Sequence, residues 1–259
     1  MSSPTPVTAD IYRWNGEALD LLDYCELTET TIVAADSWLV DDGRTLAIDL
    51  HRSRFLEHAP GAEEFWDAAI AAIPLEGAWF PRVELHSNGR MLFRLRSAPE
   101  RTLSLTLATH HGPEQRTTPT TKGPDLVAMR RLRATAQVAG ADEAVILTPD
   151  GFVVEGSYSA LVWWRGAILC LPPAEFERVP SVTARSLIGL ATALGVETLE
   201  EAVTPAELDG TELWALNALQ GPRIVTSWID GPGTAELPGR LSQWRLRLGA
   251  LRRPIAGVP

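Results

Sequence analysis

Hydrophobic positions in the first part of the chain show the spacings of both strands and helices. Residues 30–40 and 45–50 are strand-like, with apolar side chains in short runs. Residues 63–73 instead place apolar side chains at the three- and four-residue spacing of an amphipathic helix. The N-terminal part is therefore expected to alternate short strands and helices.

Three further stretches carry a strand pattern in close succession. They cover residues 79–87, 90–97 and 101–110, and the first two are joined by the short polar segment Ser87–Gly89. We expect these three to be neighbouring antiparallel strands. Residues 110–121 then contain Pro, Gly and Thr without an apolar period, a composition that predicts a linker.

The pattern after this segment predicts a mixture of helices and strands. Helical spacing occurs over residues 124–139, which begin with a proline, and over 181–195, which end at a glycine. The last apolar strand is expected at 212–219. Two strand pairs are predicted between these elements: a hairpin at 143–156 that turns at Pro149–Gly151, and a pair at 160–173 around Arg165 and Gly166.

This order of elements, β-rich at first and mixed later, has no regular βαβ period and no internal repeat. It predicts an α+β fold and not a doubly wound parallel sheet. A chain of 259 residues exceeds the usual size of one compact domain, so two domains are expected. The predicted bounds are 1–109 for a small N-terminal domain, 110–121 for an interdomain linker and 122–259 for a larger domain.

Composition and charge exclude several classes of function. A net charge of -10 leaves no basic face for binding nucleic acid. No run of about 18 apolar residues and no signal peptide is evident, so a cytoplasmic protein without a membrane partner is expected. Cys25 and Cys170 lie far apart and lack the spacing of a metal site, and both are interpreted as apolar fillers.

One feature of the composition indicates chemistry. Lys and Arg together number 23, of which 22 are Arg, so Lys122 is the only lysine. A coding bias toward Arg explains why lysine is scarce, but it does not explain the exception. A guanidinium neither loses its proton nor condenses with an aldehyde, so Arg cannot replace a lysine that acts as an amine nucleophile. Lys122 is therefore a candidate nucleophile, with chance survival as the alternative.

The residues around this lysine resemble the class IV aminotransferase family, whose members use pyridoxal 5′-phosphate (PLP). In that family the lysine follows the interdomain linker in a K-x-x-N/D setting, ahead of a helix and an A-D-E-A strand start. Residues 121–125 read Thr-Lys-Gly-Pro-Asp, and residues 141–144 read Ala-Asp-Glu-Ala. The resemblance implies the two-domain PLP fold type IV and makes Lys122 the catalytic residue that forms a Schiff base with PLP.

The same resemblance implies a partner for the ring nitrogen of PLP. The family has a glutamate in a V-x-E-x-x-x-S-N pattern after a hairpin, and residues 153–160 match this pattern except that Ala160 replaces Asn. Glu155 takes the role of the carboxylate that keeps the ring protonated. Without the resemblance, Glu155 would be interpreted as a solvated turn residue.

The cofactor's phosphate is expected to meet three segments. Residues 180–183 resemble the family's P-G-I-T at a helix N-terminus, where Val182 and Thr183 would donate amides and Thr183 its hydroxyl. Residues 51–54 match H-x-x-R, which assigns Arg54 to the phosphate, or Arg52 if the register shifts. Backbone amides in the turn at Ala218 and Leu219 would complete the site.

The substrate side departs from the family pattern. Residues 38–44 replace the usual Gly-rich F-E-T segment, and Val127 stands where branched-chain aminotransferases carry a tyrosine, which disfavours a branched-chain substrate. Residues 96–101 resemble R-G-x-x-x-R, so Arg101 is the candidate clamp for a substrate carboxylate. Without the resemblance, these arginines would be two exposed residues at strand ends.

These observations leave three functions open. The resemblance implies an aminotransferase that moves an amino group between a small amino acid and a 2-oxo acid. The missing tyrosine and the sequence Asn217-Ala218-Leu219 favour aminodeoxychorismate lyase, which forms 4-aminobenzoate and pyruvate. A non-catalytic PLP-binding or interaction protein is the third. A homodimer is implied in each case.

Overall fold

The structure is a computed structural model that describes residues 9–22 and 30–255. The chain divides into two compact units. Of the described residues, 9–22, 30–100, 122–124 and 251–255 form the first, and 101–121 with 125–250 form the second. Cys25 lies outside the described residues. Cys170 is a buried free thiol in the apolar core of the second unit, as its interpretation as a filler predicted.

Within its described part, the first unit contains two sheets. An antiparallel sheet has the spatial order β2 (Leu19–Leu21), β1 (Ala9–Trp14), β8 (Met91–Arg96), β7 (Arg82–His86) and β3 (Ile32–Ser37). A smaller sheet has the order β17 (Arg253–Pro254), β5 (Arg44–Thr45), β4 (Val40–Asp41) and β6 (Ala78–Trp79).

Two helices pack in the first unit, and one of them corrects a prediction. Helix α2 (Glu63–Ala71) confirms the helical pattern at 63–73. Residues 45–50 are not a strand, because helix α1 spans Ile48–Leu56. Ala47 adopts a left-handed conformation with φ 49°, which turns the chain out of β5 into α1. An apolar run of this length cannot distinguish a strand from the first turn of a buried helix.

The second unit has one eight-stranded sheet among its described residues. Its spatial order is β11 (Val153–Gly156), β10 (Glu143–Leu147), β9 (Ser104–Thr109), β16 (Gly221–Ile229), β15 (Glu212–Asn217), β12 (Ala160–Arg165), β13 (Ile168–Leu171) and β14 (Thr198–Glu200). Helices α3 (Leu126–Val138), α4 (Val182–Ala193) and α5 (Arg240–Ala250) belong to this unit, with a 3₁₀ helix at Pro205–Leu208.

Strand β9 is not the antiparallel neighbour that the sequence predicted. Only β7 and β8 of the three expected neighbours pair with each other. β9 instead pairs in parallel with β10 and β16 in the second unit. Leu105 and Leu107 are buried there in the core. An alternating pattern marks a strand but not its partner, so the prediction was wrong for this strand.

Two elements near the C-terminus were not predicted. β15 is not the last apolar strand, because β16 follows it and lies between β15 and β9. Gly221 and Pro222 open β16, and this pair is otherwise typical of a turn. Helix α5 buries Leu241, Trp244 and Leu248 at helical spacing, a pattern that the sequence contains.

The remaining predicted elements of the second unit are confirmed. The hairpin at 143–156 is β10 and β11, with Gly151 in its turn at φ 90°. The pair at 160–173 is β12 and β13, which turn at Gly166. The predicted helices at 124–139 and 181–195 are α3 and α4, and the α+β class is confirmed.

Candidate functional site

Lys122 is fixed through its backbone. Its carbonyl oxygen accepts a hydrogen bond of 2.7 Å from the amide of Ala35 in β3. The residue is half-buried and belongs to the short segment 122–124 of the first unit. The only lysine therefore has a defined place in the fold and is not a surface residue on a free loop.

Gly123 makes this close approach possible. Its φ is 136°, and a Cβ at this position would lie 2.7 Å from the amide nitrogen of Ala35 and 2.9 Å from the carbonyl carbon of Ala34. Real Cβ atoms essentially never come so near backbone atoms. Only glycine fits beside the lysine while β3 remains in place.

The segments on either side of the lysine are tied together by Asp125. Its carboxylate accepts hydrogen bonds from the amides of Thr117 and Thr118 at 2.8 and 2.9 Å. The Thr117 hydroxyl donates to the same carboxylate at 2.9 Å. Asp125, the D of the K-x-x-N/D pattern, thus binds residues 117–118 to the start of α3.

Arg54 lies on α1 and is bound by a carboxylate of β3. Its Nε and Nη2 atoms each donate to Asp36 over 2.8 Å in a two-pronged ion pair. The Arg54 side chain is 8% exposed and Asp36 is fully buried. Burial opposes ionisation of Asp36, but Arg54 and His51 outweigh it and hold its pKa well below the usual range. The guanidinium is therefore held rigidly.

His51 completes this cluster of the first unit. Its Nδ1 atom lies 2.8 Å from Asp36, and its ring centroid lies 5.9 Å from that of Trp38. Burial lowers the pKa of His51, and the positive charges of Arg54 and Lys122 lower it further, against the attraction of Asp36. The lowered pKa favours the neutral form of His51, and the tautomer with a hydrogen on Nδ1 fits the contact with Asp36.

Glu155 ends the hairpin of the second unit as a buried carboxylate that is 7% exposed. Burial raises its pKa to about 7, even though Arg116, Arg178 and a hydrogen bond from the Val179 amide act to lower it. Arg116 approaches most closely, with Nη1 2.6 Å from the Glu155 carboxylate. The residue is thus not the solvated turn carboxylate of the alternative interpretation.

The N-terminus of α4 has the geometry expected of an anion site. Ser181 caps the helix, since its hydroxyl accepts from the Ala184 amide at 3.2 Å. Val182 and Thr183 follow in the first turn and are buried. The positive end of the dipole of this 12-residue helix lies at these two amides.

The turn after β15 is organised by the Asn217 side chain. Its carbonyl oxygen accepts from the amides of Leu219 and Gln220 at 3.2 and 2.8 Å. Ala218 and Leu219 are both half-buried. The Leu219 amide therefore already has a long bond within the chain. The Ala218 amide has no hydrogen-bond partner among the described residues.

A buried network that sequence reasoning missed connects this turn to β10 and to the segment after β11. Arg223 donates to Glu143 over 2.6 Å, and Ser159 donates to the same carboxylate over 2.9 Å. The Asn217 amide donates to the Ser159 hydroxyl at 3.1 Å. Ser159 is the S of the family's S-N pair, so the network links the segment after β11 to the turn at residues 217–219.

The predicted site residues fall in both units. Arg54 and Lys122 belong to the first, where His51 lies within electrostatic reach of both. Glu155, the α4 N-terminus and the 217–219 turn belong to the second. Arg101 also belongs to the second and is exposed on the loop that precedes β9.

Sequence reasoning did not identify the partners of these residues. Asp36, Arg116 and Arg223 are separated from the groups they bind by 18, 39 and 80 positions along the chain. No local pattern marks such pairs. A possible signal was the presence of charged residues within strongly apolar strand stretches, because buried charges need partners.

Other kinds of site find no support in the described part of the chain. Among residues 9–22 and 30–255 no group of His, Cys, Asp and Glu is arranged to hold a metal ion. No helix in those ranges is both long and apolar enough to cross a membrane.

Comparison with solved structures shows the fold. A fold IV-transaminase from Curtobacterium pusillum superposes with a TM-score of 0.78 over 93% of this chain and 97% of its own, at 16% identity. A hypothetical aminotransferase from Mycobacterium tuberculosis, solved with PLP bound, gives a TM-score of 0.73 over 94% and 98%, at 17% identity. The predicted fold type IV is thereby confirmed.

Comparison of sequences gives a partial relative and a family. A Methanocaldococcus jannaschii protein, provisionally named a branched-chain-amino-acid aminotransferase, is 30% identical over 96 residues, which is 37% of this chain. The match spans only 33% of that relative's length. The model of the family described as amino-transferase class IV matches residues 34–228, which is more than half of the chain. This protein therefore belongs to the amino-transferase class IV family.

Proposed function

We propose that this protein is a PLP-dependent aminotransferase that moves an amino group between a small amino acid and a 2-oxo acid. The observation that carries the proposal is the only lysine of the chain. Lys122 matches the family's lysine in sequence, and its carbonyl oxygen accepts a hydrogen bond from the Ala35 amide. Gly123 beside it leaves no room for a Cβ against Ala34 and Ala35. A fixed amine at this position is what the reaction needs.

The other residues fit a phosphorylated pyridine cofactor. Glu155 offers a buried carboxylate to a ring nitrogen, and Arg54 offers a held guanidinium to a phosphate. Val182 and Thr183 offer amides at a helix N-terminus. PLP, when bound, supplies a protonated ring that accepts the electrons released at the substrate's α-carbon. The M. tuberculosis structure with PLP bound supports this cofactor.

Each residue then has a distinct task. Lys122 would hold the cofactor and, once its amine is released, would take the proton from the substrate's α-carbon and deliver it to the cofactor carbon that keeps the amino group. Glu155 keeps a proton on the ring nitrogen. Arg101 orients the substrate through its carboxylate, for which a planar guanidinium is suited. The active form is a homodimer.

The central experiment uses the single lysine. Purified protein incubated with PLP should turn yellow, and borohydride should attach the cofactor covalently to the one tryptic peptide that contains Lys122. Lys122→Arg keeps the charge but should not be labelled. A colourless wild type, or labelling of Lys122→Arg, would contradict the proposal.

The reaction itself is tested by spectral conversion. A panel of small D- and L-amino acids should shift the absorption of the bound cofactor, and a 2-oxo acid should reverse the shift. Reversible conversion by one donor and one acceptor supports the aminotransferase. No conversion by any amino acid, with full cofactor occupancy, would contradict it.

A second candidate function is the release of pyruvate from aminodeoxychorismate. The Asn217 turn supports it, because this N-A-L sequence resembles some lyases and Asn217 organises the turn through three hydrogen bonds. Val127, 53% exposed, also lacks the tyrosine hydroxyl of branched-chain aminotransferases. Pyruvate release without conversion by any amino acid would replace the first proposal by this one. Absence of both reactions, with PLP bound, would favour the non-catalytic alternative.

A further inference from the structure

Arg116, in the segment that precedes Lys122, has an environment that no predicted role explains. Its Nη1 atom donates to Glu155 at 2.6 Å and to the carbonyl oxygen of Glu177 at 3.2 Å. Its Nε and Nη2 atoms bind the two oxygens of Glu114 over distances of 2.6 to 3.1 Å. The Arg116 side chain is only 5% exposed, although most of the neighbouring segment is exposed.

This arrangement is a built position and not a chance surface contact. Glu114 is 43% exposed and accepts hydrogen bonds from the Nε and Nη2 edge of the guanidinium. The Arg116 backbone amide also donates to the Glu114 carboxylate. The opposite edge is thereby directed at Glu155, which is 9% exposed at its side chain. A side chain anchored in this way has little freedom to leave Glu155.

The other groups that act on Glu155 form no direct ion pair with it. Arg178 lies in the loop after β13, and its guanidinium is occupied by the carbonyl oxygens of Pro172, Pro173 and Phe176. It acts on Glu155 through charge, and the Val179 amide acts through a hydrogen bond. Arg116 is therefore the cation that forms a direct ion pair with Glu155.

We propose that Arg116 is a positioning residue for the cofactor ring: it holds the Glu155 carboxylate in place and favours its ionised form, so that the proton shared by Glu155 and the ring nitrogen stays on the nitrogen. This inference rests on the proposed function and adds a residue to it. Glu114 contributes by binding Arg116 on the side of the guanidinium that faces away from Glu155.

The physical reason is a competition for one proton. A buried carboxyl without a nearby cation prefers its neutral form, and a neutral Glu155 would share its proton with an uncharged ring. A cation at hydrogen-bond distance stabilises the carboxylate, which leaves the proton on the ring nitrogen. Burial raises the pKa of Glu155 to about 7 even with Arg116 present, so the balance depends on this ion pair.

The first measurement uses the protein without cofactor. Carbon-13 labels in the glutamate carboxyls report the titration of Glu155, whose signal is assigned by its loss in Glu155→Gln. Arg116→Gln should move the midpoint upward by about one to three pH units, the usual effect of an adjacent opposite charge. Arg116→Lys keeps a cation and should restore most of the wild-type midpoint. Arg130→Gln removes an exposed arginine of the same unit and should change nothing.

The second measurement uses PLP labelled with nitrogen-15 in the ring. Wild type and Arg116→Lys should show the signal of a protonated nitrogen, and Arg116→Gln should shift it toward the unprotonated form. A merely structural role of Arg116 would lower the unfolding temperature without moving this signal in the folded protein.

The outcomes separate the two proposals. A wild type that takes up no PLP would overturn both. PLP uptake by the wild type, together with an unmoved Glu155 midpoint or an unmoved ring-nitrogen signal in Arg116→Gln, would overturn the role of Arg116 alone. A moved midpoint and a moved nitrogen signal, both restored in Arg116→Lys, support it.

Discussion

At the scale of single residues, the candidate site is built from buried charges that are bound in pairs. Arg54 is paired with Asp36, and Arg223 with Glu143. A buried charge that loses its partner costs several kcal/mol, whereas the net contribution of an intact pair is small. Replacing one partner of such a pair therefore changes the stability of the fold as well as the chemistry of the site, so each substitution needs a control.

The phosphate role of Arg54 can be separated from that of Arg52. Arg54→Lys should weaken PLP affinity about tenfold to a hundredfold, because a charge-assisted contact worth about 1.5–3 kcal/mol is lost or distorted. Lys also keeps a partner for Asp36. Arg52→Ala removes a half-exposed side chain and should leave the dissociation constant unchanged. The opposite ranking, measured by cofactor titration, would move the assignment to Arg52.

The role of Glu155 is tested by its isosteric amide. Glu155→Gln should retain PLP but lose turnover by on the order of a hundredfold or more, because an amide cannot keep the ring nitrogen protonated. The matched control is Glu236→Gln, a carboxylate that is exposed in the second unit. Cofactor occupancy is measured by absorption and turnover by product formation. Wild-type turnover in Glu155→Gln at full occupancy would remove this residue from the site.

At the scale of elements, the position of Lys122 depends on how its chain segment approaches β3. The hydrogen bond from the Ala35 amide to the Lys122 carbonyl binds residues 122–124 to the first unit. In the sequence these three residues are flanked on both sides by residues of the second unit. Asp125 then fixes the return of the chain into α3. The lysine position is thus set by backbone contacts on both sides.

Gly123→Ala tests this arrangement. A Cβ would meet the backbone of Ala34 and Ala35, so the segment must move and carry Lys122 with it. We expect a stability loss clearly above that of Gly140→Ala, for which positive φ alone costs about 1 kcal/mol or more. Gly140 also has positive φ, but its nearest contact is a side-chain atom of Ile229 at 3.7 Å. Equal unfolding temperatures and equal borohydride labelling in the two variants would refute the close approach.

At the scale of the whole molecule, each unit has its own apolar core and its own buried ionic cluster. In the first unit a second such cluster, besides that of Asp36, is centred on Glu84, which is fully buried in β7. Arg82, Arg94 and His86 bind its carboxylate at 2.5, 2.8 and 3.0 Å. Burial opposes the charge of Glu84, but these partners lower its pKa from 4.5 to about 2.

This cluster predicts how stability depends on pH. A carboxyl whose pKa is lower in the folded state stabilises the fold above pH 4.5, and this contribution disappears as the pH falls through about 2. The shift corresponds to about 3 kcal/mol of unfolding free energy. Denaturant unfolding between pH 6 and 2 should therefore show a steeper loss in wild type than in Glu84→Gln. The exposed control Glu236→Gln should follow the wild type; identical slopes in all three proteins would contradict the role of Glu84.

The sequence by itself determined those features that have a local physical cause. Helical spacing marked α2, α3 and α4, turn glycines marked the hairpins at Gly151 and Gly166, and the pattern around the only lysine indicated the family. These signals are local because periodicity and turn conformation depend on residues a few positions apart.

Only the tertiary structure decided which distant groups meet. In the structure β9 pairs within the sheet of the second unit and not with β8, and residues 48–56 form a helix where part of a strand was predicted. It also gave Arg54, Glu155 and Glu143 their partners. Strand partners and buried ion pairs are chosen by the packing of the whole chain, and neither hydrophobic period nor residue type encodes which distant position provides the partner.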